Sequence, residues 1–392
     1  MGLTPEQWQA DLAFLAKELP AKHINAFATI SRTDFDAQVH DLDSRIPKLN
    51  DAAVRAGILK IVASLGDAHT NANIWGPGGP YPIIPLGLYW FKDGVFVVTA
   101  LEGNKNVLGT RLLRVGKLSV EDASRKLGDY VPHENEAQLK AQVPSLITHP
   151  DLLEAIGAVD NASKVSLEFQ PATGDRIAVQ IEGVIFRERP QWVWAYAGEQ
   201  PLYRRQPNVP YTAAPLAGGS TVYFAYNRCV NDPRNPFPKF AAELKKVLEQ
   251  PNVNRLIIDL RNNAGGNSAI LDPFITWLKT SRLNRKGSLV VLIGRPTFSS
   301  AVLNAVKLKN ETAAILAGEP TGGKPDHFGE LRSLELPNSH IRVTYSTRFF
   351  NESKNDTPSL MPDIVIEPTS KDYLSGADPV LDHILRQPAP DK

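Results

Sequence analysis

The stretch from Leu256 to Lys324 constrains the fold of this chain more than any other. Three apolar runs, LIIDL, LVVLIG and AAILAG, are each short, rich in branched residues and bounded by Gly, Pro or Asn. Runs of that kind read as strands buried on both faces. Between them, Ser268 to Lys279 and Ser300 to Lys309 carry helical periodicity. The order strand, helix, strand, helix, strand is the grammar of a parallel sheet with right-handed crossovers. An α/β core follows, with its chemistry expected at the carboxyl ends of the strands.

The rest of the chain divides by texture. Residues 3 to 66 read as three helices, the first opening at Thr4-Pro5-Glu6 with proline at the first helical position. The third is expected to stop at Gly66, just before Asp67-Ala68-His69-Thr70. A histidine placed there is ordinarily a capping or solvent-facing residue. A Gly/Pro-rich connection over 71 to 90 marks a boundary. From 87 to 185 short strands (GLYWF, GVFVVTAL, TRLLRVG, KVSLEF, RIAVQIEGVIF) alternate with helices near Ser119 and Glu136, a small α+β module. Residues 187 to 219, rich in proline, read as a long irregular connection whose Trp192, Trp194, Tyr196 and Tyr203 offer a substrate-facing wall. TVYFAYNR is the next strand and FPKFAAELKKVLEQ the next helix. The expected domains are thus 1–80, 81–186, a linker 187–219, and 220–392.

A net charge of +1 supplies no basic face for nucleic acid or an anionic membrane. No apolar stretch approaches the roughly 18 residues that span a bilayer. Cys229 stands alone, which excludes an internal disulfide and a multi-thiolate metal site. The eight histidines show no metal-ligand spacing and there is no G-x-G-x-x-G fingerprint; neither a metal nor an organic cofactor is expected. The opening MGLTPEQWQ has no basic and apolar signal region. That fits a cytoplasmic chain, or a periplasmic or secreted one whose leader has been replaced by Met-Gly.

Three loops carry the candidate chemistry. After LIIDL, Gly265 and Gly266 let backbone amides approach a ligand where a helix is about to begin; Asp259 and Arg261 are placed to brace that loop by an ion pair. Without other information a tight strand-to-helix turn explains the glycines equally well. After the second strand, Thr297-Phe298 leads into Ser299-Ser300 at a helix start. Serine there is ordinarily an amino-terminal cap, but a nucleophile in that place has its following amide ready for an oxyanion. The third strand ends in Gly318-Glu319-Pro320-Thr321-Gly322-Gly323-Lys324, which matches seven places of a phosphate-binding loop. Pro325 stands where that loop needs a hydroxyl and no helical pattern follows, so a nucleotide triphosphatase is rejected. His327, with Asp326 and Glu330 nearby, reads as part of a solvated loop.

In this order, DLRNNAGG, TFSSA, GEPTGGK and the closing Met361-Pro362-Asp363-Ile364 resemble the C-terminal processing (tail-specific) serine peptidases, relatives of the tricorn protease core and of the interphotoreceptor retinoid-binding proteins. The resemblance is specific over about 255 to 367. The separation 324 − 299 = 25 residues also matches the family's serine and lysine. It implies a ClpP/crotonase-like catalytic core with an N-terminal helical region and a PDZ-like module for a peptide or protein carboxyl end. It implies Ser299 as nucleophile, with the amide of Ser300 and one from Gly265 or Gly266 forming the oxyanion hole. A one-residue shift to Ser300 stays open. Val302 stands where the family commonly has glutamate, and the closing element lacks the family's glycine. Tail-specific enzymes imply Lys324 as base; tricorn-like branches imply His69. A neutral imidazole is poised near pH 7 without tuning, whereas a lysine needs its pKa lowered by several units. His69 is therefore taken first, with Lys324 as the alternative or an electrostatic helper, and Asp67 and Glu330 as guesses for an orienting acid. The function implied is a serine-type peptidase; a non-catalytic binding protein and a non-peptide acyl hydrolase are the rivals.

Overall fold

The computed structural model describes residues 2–75, 81–196, 198–353 and 356–388. The GPGGP part of the connection expected over 71 to 90 lies outside them. In chain order the elements are α1 (Pro5–Lys22), α2 (Arg32–Arg45), α3 (Asp51–Ala63), β1 (Asn71–Asn73), β2 (Leu86–Phe91), β3 (Gly94–Ala100), β4 (Arg111–Val115), β5 (Leu118–Ser119), α4 (Val120–Gly128), α5 (Glu136–Leu146), α6 (Pro150–Ala155), β6 (Lys164–Gln170), β7 (Ile177–Glu182) and β8 (Val193–Trp194). They continue with α7 (Leu202–Arg205), β9 (Tyr211–Leu216), β10 (Thr221–Tyr226), α8 (Phe237–Leu248), β11 (Arg255–Asp259), α9 (Asp272–Thr280), β12 (Leu289–Ile293), α10 (Ser300–Glu311), β13 (Ile315–Gly318), β14 (His327–Glu335), β15 (Arg342–Phe350), β16 (Ile364–Val365), α11 (Ser370–Leu374) and α12 (Pro379–Arg386). No helix among the described residues is long and apolar enough to cross a membrane.

Two compact units contain these elements. The first holds 1–134, 139–195 and 328–350. Its helices start where local chemistry dictates. Thr4 and Gln7 form a reciprocal capping box at α1, and Ser31, Asn50 and Ser119 cap α2, α3 and α4. The helix α3 ends at Ala63, three residues before the expected Gly66, which instead sits in the turn beyond it with φ +68°. A sheet ordered β2-β3-β4-β6-β7, with β5 added on β4 and β8 on β3, carries the α+β texture expected for 87 to 185. A second sheet, β1-β15-β14, closes on the loop that contains His69. One continuous core runs through the unit, from Leu12, Leu15 and Phe35 to Val97, Phe169 and Val343.

The second unit holds 135–138, 196–327 and 351–392 around a six-stranded sheet ordered β16-β13-β12-β11-β10-β9. From β16 to β10 neighbouring strands are parallel, and β9 closes the edge antiparallel. The three apolar runs therefore lie side by side as β11, β12 and β13. Successive residues alternate between faces, the two-residue period of a strand. Leu256, Ile258, Leu289, Val291 and Ile293 join a core with α8, α9 and α10; Ile257, Val290 and Leu292 join another with Val380, Leu381 and Ile384 of α12. Burial on both faces explains why these strands read as unbroken apolar runs.

The helix expected over Ser268 to Lys279 is divided. Ser268–Ile270 is a 3-10 turn and α9 begins at Asp272, because Pro273 has no N–H and its ring excludes the preceding helical carbonyl. The connection 187 to 219 is less irregular than expected, since it contains β8, α7 and β9. Of the aromatic residues there, Trp194 is half exposed, while Tyr203 packs beneath Arg261, whose guanidinium carbon is 4.2 Å from the ring centroid. The segment Gly318 to Lys324 leads into a strand and no helix, which removes the context a phosphate loop needs.

Candidate active site: a strained serine on a braced glycine loop

The second unit brings five of the six residues singled out above to the loops after the carboxyl ends of β11, β12 and β13. The turn after β12 is tied to both neighbours. Thr297 Oγ1 donates to Leu260 O at 2.9 Å and accepts from Gly294 N–H at 3.0 Å, and Phe298 N–H donates to Asn263 O at 3.0 Å. On the other side Gly322 N–H donates to Arg295 O and Gly323 N–H to Thr297 O. The Arg295 guanidinium lies 2.7 Å from the Glu319 carboxylate, both buried, so the charged pair joins the same two loops.

At the end of this braced turn Ser299 has φ 52° and ψ −130°. A positive φ is uncommon for a residue with a Cβ and stores roughly 1–3 kcal/mol of strain that the surroundings must over-determine. Ser299 precedes α10 without capping it, for its side chain makes no capping hydrogen bond. The ordinary explanation for serine at a helix start therefore does not apply. Ser300 differs: its hydroxyl donates to Gly266 O at 2.7 Å.

The glycine loop packs directly on this turn. A Cβ on Gly265 would stand 2.8 Å from Ser299 Cβ and 3.1 Å from Ser300 N, and Gly265 has φ +109°. A Cβ on Gly266 would meet Cys229 O at 2.3 Å. A side chain is excluded at both positions, which decides between a ligand-approach loop and a free turn only in that the backbone must come this close. Asn263, fully buried, organises the loop. Its Nδ2 donates to Tyr226 O at 2.7 Å and its Oδ1 accepts from Gly265 N–H at 2.9 Å. The amide of Gly265 is thereby occupied. Sequence reading passed over Asn263, although an asparagine two residues before a glycine pair is the signature of an Asx turn. The ion pair expected between Asp259 and Arg261 is present at 2.6 Å and extends to Asp378 at 2.8 Å. Burial opposes the charge on Arg261, but the two carboxylates hold it firmly protonated.

Lys324 follows Gly323 at the edge of this loop. Its Nζ is 2.5 Å from Asp356 Oδ1 and the side chain is about a quarter exposed. His327, expected in a solvated loop, is buried instead, with Nδ1 2.7 Å from Lys324 O, because β14 starts at that residue. Asp363 of the closing PDI element ties β16 to β13: its Oδ2 accepts from Leu316 N–H at 2.9 Å and Oδ1 pairs with Lys309.

The remaining candidate, His69, belongs to the first unit and is buried rather than solvent-facing. Asp67 holds its turn. Asp67 Oδ1 accepts the His69 N–H at 2.9 Å and lies 4.0 Å from His69 Nδ1, while Oδ2 accepts from Thr70 Oγ1 and Ser346 Oγ at 2.6 Å each and from His23 at 2.9 Å. Burial pushes the Asp67 carboxyl up, but the hydrogen bonds from His23, Ser346, Thr70 and the His69 amide outweigh it and hold the pKa at about 2. Glu330, the other guessed orienter, is surface-exposed and paired with Arg348.

No protein-family model matches the sequence, and no curated protein matches it either. Solved structures do match. CPAF complexed with lactacystin aligns over 97% of this chain and 97% of its own at a TM-score of 0.65 and 14% identity. CPAF with a serine-to-alanine substitution aligns over 99% of both chains at 0.65 and 13%. A structure named photosystem II D1 C-terminal processing protease aligns over 92% of this chain and 93% of its own, at a lower TM-score of 0.41 and 15% identity. The chain therefore shares the fold of CPAF over nearly its whole length.

Proposed function

We propose that this chain is a serine-type peptidase that cleaves peptide bonds through an acyl-enzyme on Ser299. The observation that carries the proposal is Ser299 itself: a non-glycine residue held at φ 52° between two braced loops, with its hydroxyl not spent on the helix it precedes. Strain of this kind persists where function requires a side chain at a fixed angle. Ser300 is assigned a supporting part, because its hydroxyl is committed to Gly266 O while its amide begins α10. Gly266 is preferred to Gly265 for the second oxyanion donor, since the Gly265 amide already serves Asn263.

In this reading Ser299 Oγ attacks the peptide carbonyl and its proton passes to the base. The amides of Gly266 and Ser300 hold the tetrahedral oxyanion. The base returns the proton to the leaving amine, and water then hydrolyses the ester by the reverse sequence. We assign the base to His69. An imidazole needs no tuning for the task, and Asp67 provides a carboxylate near its Nδ1. Lys324 is assigned an electrostatic part, because its Nζ is engaged by the Asp356 carboxylate. The same reading takes 220–392 as a ClpP/crotonase-like core and 81–186 as a PDZ-like module for a peptide carboxyl end, with 1–80 helical and 187–219 the linker.

Labelling with a fluorophosphonate serine probe tests the proposal, with lactacystin, the ligand found in CPAF, as a second probe. Folded wild type should label, and Ser299→Ala and His69→Ala should not, whereas Lys324→Met should retain labelling. Absence of labelling in folded wild type, together with no turnover of casein or tail peptides, leaves a binding protein. Labelling and ester turnover without peptide cleavage indicate a non-peptide acyl hydrolase.

A further inference from the structure

The first unit contains a second histidine that the proposed reaction does not use. His23 caps the end of α1, where its N–H donates to Leu19 O, and its side chain is about 1% exposed. Its ring nitrogens have distinct partners. The Asn25 amide donates to Nδ1 at 3.0 Å, so Nδ1 is an acceptor and bears no proton. Nε2 therefore carries the hydrogen and donates it to Asp67 Oδ2 at 2.9 Å. The ring packs edge-on to Phe328, with centroids 5.3 Å apart, which fixes its plane. Ile24 N–H donates to Ser346 O at 3.0 Å, so the backbone after His23 is held to the same strand that supplies Ser346.

An apolar side chain would fill this position without burying polar atoms. Besides accepting from the Asn25 amide, the imidazole adds one directed hydrogen bond to a carboxylate that serves His69 with its other oxygen. We propose that His23 is a positioning residue for His69, acting through Asp67. The proposal rests on the reading of His69 as the base. His23, Thr70 and Ser346 occupy Oδ2 and so turn Oδ1 toward the His69 amide and Nδ1. Outer partners of this kind hold a functional imidazole in one orientation and typically change activity by 10–100-fold when removed.

Steady-state peptide hydrolysis by His23→Ala and His23→Gln tests this. His23→Ala should lower kcat by roughly 10–100-fold with KM changed by less than about twofold. His23→Gln, whose amide can donate to Oδ2, should recover kcat to within roughly threefold of wild type while both variants keep similar melting temperatures. If His23→Ala fails to fold, Ser346→Ala, which removes another donor from Oδ2, should lower kcat in the same way. Wild-type kcat in His23→Ala, or a loss that glutamine does not rescue and that follows the loss of stability, overturns the positioning role. That outcome is distinct from failure of the peptidase reading, in which wild type itself neither labels nor turns over and both conclusions fall.

Discussion

The Ser300 hydroxyl donates to the carbonyl of Gly266 at 2.7 Å, so the second serine of the pair holds the glycine loop and the first is left at the strained turn. Ser299→Ala should abolish fluorophosphonate labelling. Ser300→Ala keeps its amide and should retain labelling at a rate reduced about 10-fold, consistent with loosening a loop without removing a donor. Complete loss in Ser300→Ala alone would move the nucleophile by one residue.

Gly265 tolerates no side chain. Its φ is +109° and an added Cβ would press on Ser299 Cβ, Phe298 O and Ser300 N. Gly265→Ala should cost roughly 1–3 kcal/mol of stability through backbone strain. By displacing Ser299 it should reduce kcat about 100-fold. Urea unfolding and steady-state kinetics on the same variant check both.

Arg261 links the loop after β11 to α12 through a buried pair with Asp378, which also caps that helix by accepting from Leu381 N–H at 3.0 Å. Removing Asp378 leaves Arg261 with Asp259 as its carboxylate partner but takes away two charged hydrogen bonds and the α12 cap, at about 1–3 kcal/mol. Asp378→Ala should lose stability in that range in urea. Asp378→Asn should lose less, because the amide still caps α12.

His149 predicts a pH dependence of stability. It stacks on Trp75 with ring centroids 4.0 Å apart, and burial pushes its pKa down to about 4 from an ordinary 6.5. The fold holds it neutral while the unfolded chain takes up a proton below pH 6.5, so stability falls as pH drops from 6.5 to 4 and this contribution levels off below 4. The full span is about 3 kcal/mol. His149→Phe keeps the stack without a titrating group and should flatten that window in denaturation measured from pH 7 to 4.

How much of this was legible in the sequence depends on the range of the interaction concerned. Strands buried on both faces show as unbroken apolar runs, so β11, β12 and β13 were readable residue by residue. Their parallel pairing followed from the helices between them. The partnership of Asp259 with Arg261 was readable because it spans two residues. Pro273 announced a helix start that periodicity alone overran. The aromatic connection was misread because β8 and α7 are too short to show a period, and because Pro210 and Pro215 read as loop residues although an edge strand such as β9 accommodates them.

By itself the sequence determined the strand and helix order of the core and the loops on which chemistry could sit, since those depend on side-chain period and on glycine and proline at fixed places. Tertiary structure decided which serine is strained, because the sign of φ at Ser299 is imposed by Asn263, Gly265 and Gly323 packing against its turn. It also decided that Lys324 is paired with Asp356 and that His23 reaches Asp67, 44 residues away. Such contacts are made by chain segments distant in sequence, and no local pattern of residue types encodes which of them will meet.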